Sequence, residues 1–140
     1  MYYLKYHYPY YLTTLVPLPC LLHSLPKHRE HKIQNLHTVV GWFKSKSEEP
    51  LLAPPEGLSP DESDVYIHQC GQCVQIWILV NGQWQGGIRD GYHHPTLPDY
   101  RLYMREGHEP TWVTRKTRIT YQGHAKSKRV SSHISWNYLH

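Results

Sequence analysis

Val74-Gln75-Ile76-Trp77-Ile78-Leu79-Val80 is followed by Asn81-Gly82 and then by Gln83-Trp84-Gln85. Asn-Gly between apolar runs is a strong hairpin signal. A type I′ turn needs positive φ at both central residues, and these two types tolerate it best. In 74–80 one side of a strand carries Val74, Ile76, Ile78 and Val80 and the other Gln75, Trp77 and Leu79. Both faces are largely apolar, which predicts a central strand and not an edge.

Working outward, the alternation of Tyr100, Leu102 and Met104 with Arg101, Tyr103 and Arg105 predicts a half-buried strand. Further strands are expected over 65–68, 83–88 and 111–121. The predicted fold is therefore mainly β (α+β), a five-stranded antiparallel sheet or SH3-like barrel over 65–121. Trp77, Leu79, Ile76, Ile78, Trp84, Leu102, Trp112, Val113 and Ile119 are expected to form most of its core. Upstream, Ile33, Leu36, Val39 and Val40 share one face of a 3.6-residue period, predicting a short helix within 27–43. Residues 1–26 read as a Tyr/Pro-rich tail, 44–64 as an acidic, proline-rich linker, and 122–140 as a basic tail, with both termini disordered.

The 39% apolar fraction lies below the globular norm of roughly 45–50%. Twelve Tyr, five Trp and twelve His stand beside a single Phe, Phe43, a skew that constrained codon choice produces in overlapping reading frames. The net charge of +4 hides a division. Residues 48–64 hold six acids and no base, whereas 101–129 hold eight bases against Glu106 and Glu109. A basic C-terminal third favours anionic partners. Three cysteines argue against a secreted disulfide framework and for a reducing setting, cytoplasm or nucleus. The 13-residue apolar run from Tyr10 to Leu22 contains Pro17 and Pro19, too short and too broken to span a bilayer.

Two groups of residues suggest chemistry. His68, Cys70 and Cys73 form a half-site with the short spacing zinc favours. A second pair would have to come from His93-His94, His108 or His124, so no cofactor is expected, and zinc only through that set. Arg115, Lys116 and Arg118, with Lys126, Lys128 and Arg129, alternate with Trp112, Val113, Ile119 and Tyr121 on an expected basic strand and tail. Cations beside aromatic rings are what phosphate contact and base stacking require. Gly82, Gly86, Gly87 and Gly91 lack the spacing of a phosphate loop. Asp90 and Asp99 flank a Pro/His loop where turn capping is their ordinary use. No enzyme is expected.

Residues 74–118 resemble the C-terminal SH3-like barrel of retroviral integrases, through Asn81-Gly82-Gln83-Trp84-Gln85-Gly86, residues 100–105, and Glu109-Pro110-Thr111-Trp112-Val113-Thr114-Arg115. The catalytic carboxylate core of an integrase is absent, so no such activity is implied. Asp61-Glu62-Ser63-Asp64-Val65-Tyr66-Ile67, Cys70-x-x-Cys73 and the later Trp112–Arg118 segment resemble the middle of foamy-virus Bel/Bet-type accessory proteins. That resemblance implies a non-enzymatic viral accessory or regulatory protein that binds host or viral proteins in the host cytoplasm or nucleus. A nucleic-acid-binding β module is the alternative.

Overall fold

The computed structural model describes residues 24–33 and 35–136. Residues 1–23 of the expected 1–26 tail, and residues 137–140, lie outside them. Among the described residues seven strands and one helix follow in order: β1 (Arg29–Lys32), β2 (Val39–Ser47), β3 (Val65–Cys70), β4 (Cys73–Val80), β5 (Gln83–Gln85), β6 (Tyr100–Arg105), β7 (Glu109–Thr114) and α1 (Arg115–Trp136). The first five make one sheet in chain order, and β6 and β7 make a second. The mainly β class holds. Among the described residues no barrel closes, because the two sheets keep separate pairings.

The decisive hairpin forms as its residues dictate. Val80 pairs with Gln83, and Asn81 and Gly82 take φ of 52° and 73°, the type I′ signature. Glu62 caps the turn by accepting from the Asn81 and Gly82 amides, at 2.7 and 3.4 Å. β4 is central, with β3 on one side and β5 on the other. A second two-residue turn, Gly71-Gln72, joins β3 to β4 with Gly71 at φ 56°.

The expected helix within 27–43 is instead a β-hairpin. β1 pairs antiparallel with β2, Glu30 opposite Gly41, and Asn35 takes φ 67° in the turn between them. The helical spacing counted Val39, which is exposed, whereas strand alternation buries Val40 and Trp42 on one face and Phe43 on the other. β-Branched and aromatic residues fit that pleat better than a helix.

β2 then pairs parallel with β3, Trp42 beside Val65. Parallel neighbours need a long crossover, and 48–64 supplies it. The stretch is thus no linker between independent parts. Leu51 and Leu58 pack on Phe43, Tyr66 and Trp77, Pro54 is buried, and Leu51 exchanges two hydrogen bonds with the Gln75 side chain.

The other face of the large sheet carries Val40, Trp42, Val65, Ile67, Ile76 and Ile78, packed against Ile33, Ile88, Leu102 and Trp112. The core sits there, between the sheets. The expected strand 111–121 ends at Thr114, and the expected basic tail is helical through Trp136. Thr114 Oγ1 accepts from the Thr117 amide at 3.3 Å, an N-cap bond that turns the chain from strand to helix. Ile119, expected in the core, is 58% exposed on α1, and Trp84 is only half-buried. Among the described residues no helix is long and apolar enough to cross a membrane.

Candidate functional site

Three places on this frame gather polar side chains. The first lies where β1, β2 and β3 begin to share a sheet. His28 precedes β1, Asp64 precedes β3, and both reach over Gly41 of β2. A Cβ at Gly41 would stand 2.2 Å from Asp64 Oδ1 and 2.5 Å from His28 Nε2, so only glycine admits this approach. His28 Nε2 lies 2.8 Å from Asp64 Oδ2, and the Asp61 amide donates to the same oxygen at 2.8 Å. Asp64 is 3% exposed. Burial pushes its carboxyl above the usual carboxylate value, against the opposing pull of the Asp61 amide and His28. Ligand atoms of His28, Asp61 and Asp64 fall within 4.8 Å of one another, the one such group of three or more His, Cys, Asp or Glu among the described residues.

The expected half-site His68, Cys70 and Cys73 is not gathered in that way. Cys70 and Cys73 face each other across the Gly71-Gln72 turn as free thiols, one buried and one exposed. His68 is committed elsewhere. Its Nε2 donates to the Glu49 carbonyl at 2.8 Å and lies 3.1 Å from Ser47 Oγ. The Ser45 hydroxyl donates to Nδ1 at 2.7 Å, and the Tyr66 hydroxyl donates to Ser45 Oγ at 2.8 Å. Both ring nitrogens are thus occupied by hydrogen-bond partners, and neither is left for an ion. The network joins the crossover to the sheet under a cavity of about 510 Å³ lined by Leu25, Pro26, Leu51 and Pro55. Spacing alone suggested a ligand; tertiary contacts make His68 a structural hydrogen-bonding residue.

The third place is α1. Its 22 residues carry six Lys or Arg and no Asp or Glu, on a rod about 33 Å long at 1.5 Å per residue. Thr117, Arg118, Tyr121, Gln122 and Ala125 are half-buried, recurring at helical spacing and facing the β6–β7 sheet. Arg115, Lys116, Lys126, Lys128 and Arg129 are exposed. Arg118 is not a surface cation. Its Nη2 meets Asp90 Oδ2 at 2.6 Å, and its guanidinium lies over Gly91, whose φ of 89° favours glycine. Asp90 also accepts from the Met104 amide at 3.1 Å, so the pair clamps the 88–99 loop to β6 and α1. Tyr103 and Tyr121 rings lie 5.3 Å apart, beside a cavity of about 490 Å³ lined also by Arg105, Glu106, Glu109, His124 and Lys128.

Of the expected nucleic-acid residues, five are therefore exposed along α1 and Arg118 is not. The Asp61/Asp64 pair with His28 escaped sequence reasoning because its nitrogen ligand lies 36 residues from Asp64, and only the β1–β2–β3 register joins them. Comparison with protein-family models, with curated proteins and with solved structures finds no match for this chain.

Proposed function

We propose that the chain is a non-enzymatic binding module that presents α1 to nucleic acid. The observation that carries this reading is the acid-free basic helix with Arg115, Lys116, Lys126, Lys128 and Arg129 outward. Cations spread along a rigid rod sum their field along a phosphate backbone, and each phosphate contact releases condensed counterions. The Tyr103–Tyr121 pair, with Arg105 and Lys128 beside it, suits a stacked base next to that backbone contact, as single strands require. Glu106 and Glu109 border the same cavity and limit how closely phosphates approach there.

The test is fluorescence anisotropy with single- and double-stranded oligonucleotides over a range of salt. Micromolar binding at low salt that falls steeply with ionic strength is expected. Arg115→Glu with Lys126→Glu should weaken it by about tenfold or more and flatten the salt slope by roughly one per lost phosphate contact. Tyr121→Ala should weaken single-strand binding while leaving the slope in place. No binding at micromolar protein in low salt would end this reading.

A regulatory protein acting by protein contact, of the viral accessory type, is the second reading. The observation favouring it is Leu52, fully exposed at the tip of the acidic crossover, beside a shallow groove lined by Leu51, Val74 and Gly87. Its expected signature is a stoichiometric protein partner lost on Leu52→Asp and retained by the α1 charge-reversal variant.

A further inference from the structure

We propose that His28, Asp61 and Asp64 form a binding site for a divalent transition-metal ion of the zinc class, held by one imidazole nitrogen and two carboxylates with the remaining positions left to water. The donor chemistry fits: His nitrogen with Asp oxygens suits zinc and its neighbours, and three protein ligands leave an open position. The three ligand atoms already lie within 4.8 Å of one another.

A second observation points to a ligand. Asp64 is buried, yet only its Oδ2 is used, by the Asp61 amide and His28 Nε2. Oδ1 receives no hydrogen bond from the described residues. It lies with His28 Nε2 over the Gly41 Cα, in space that any side chain at 41 would fill. That oxygen is left uncommitted by the fold and is open to an incoming ion. On the far side of the ring, His28 Nδ1 lies 3.8 Å from Glu30 Oε1. The carboxylate stands on the side where metal-bound histidines commonly find an orienting partner, at a separation longer than a hydrogen bond.

The competing explanation is a plain His28–Asp64 ion pair that pins the sheet edge, and Asp61 separates the two. Asp61 supports the fold through its backbone, its amide donating to Asp64 Oδ2 and its carbonyl accepting from the Asp64 amide at 3.1 Å. Its exposed carboxylate is free of that duty, so Asp61→Asn keeps the fold and removes a ligand.

The experiment titrates the full chain with Zn²⁺, and with Co²⁺ as a visible-absorbing substitute, near neutral pH. Expected are one ion per chain, a d–d spectrum without thiolate charge transfer, and a higher melting temperature with the ion present. Asp61→Asn and His28→Gln should each raise the dissociation constant by at least about tenfold, the scale on which even outer partners matter. Cys70→Ser with Cys73→Ser should leave binding unchanged. Absence of stoichiometric binding, equal affinity in Asp61→Asn, or a thiolate charge-transfer band would each overturn the assignment. A fold lost in His28→Gln does not blunt the test, because Asp61→Asn reads it independently.

Discussion

Gly41 and His94 show how single atoms set the behaviour of this chain. A Cβ at residue 41 would come within 2.2 Å of Asp64 Oδ1. Gly41→Ala must therefore evict either His28 or the buried carboxylate. A cost of about 2–4 kcal/mol is expected, because the displaced carboxylate is left buried without its partner; the shift in urea midpoint measures it. His94 is 7% exposed, edge-on to Trp112 at 4.5 Å, and its Nδ1 accepts from the Thr96 and Leu97 amides, both at 3.1 Å. Burial holds its pKa below the usual histidine value. The unfolded chain takes up this proton near about pH 6.5, above where the folded chain does, so the unfolded state holds more protons in between. Stability should fall as pH drops below about 6.5 and continue falling until the lowered value is passed. In denaturation curves across that range, His94→Asn, which keeps an acceptor for the two amides, should lose this slope at some cost in packing.

At the scale of elements, α1 is the part most dependent on its context. It has no acid in its first turn, and Arg115 and Lys116 stand where the helix dipole repels cations. Its start rests on the Thr114 cap and on the Tyr121 and Arg118 contacts with β6 and the 88–99 loop. Thr114→Ala should cost about 1 kcal/mol, read by chemical denaturation followed in far-ultraviolet circular dichroism. The segment from Trp112 to Tyr121 reads as a strand because Thr, Ile and Val favour one. Its half-buried residues Thr117, Tyr121 and Ala125 keep a four-residue spacing instead. That spacing was present in the sequence, but in polar and small residues it carries little hydrophobic signal. The β1–β2 hairpin is hidden for the opposite reason: four apolar residues happen to match a helical face.

For the molecule as a whole, Leu102 and Trp112 join the two sheets. Leu102 is fully buried and Trp112 is 2% exposed, both in the cluster with Trp42, Ile67 and Ile78. Trp112→Ala should cost about 3–5 kcal/mol, and tryptophan fluorescence and circular dichroism should report one shared transition, because neither sheet keeps a covered face alone. The crossover 48–64 covers the opposite face in the same way, with Leu51 and Leu58 over Phe43, Tyr66 and Trp77.

Local chemistry was sufficient for the Asn81-Gly82 turn, the central position of β4, the bounds of β6 and the basic character of the C-terminal third. Each depends on neighbours in sequence, through turn dihedrals, side-chain alternation or summed charge. Tertiary structure alone decided the parallel pairing of β2 with β3, the helical state of α1, the structural use of His68, and the meeting of His28 with Asp61 and Asp64. Those outcomes depend on which distant strands share hydrogen bonds and which faces cover one another. Spacing along the chain does not encode the distances that result.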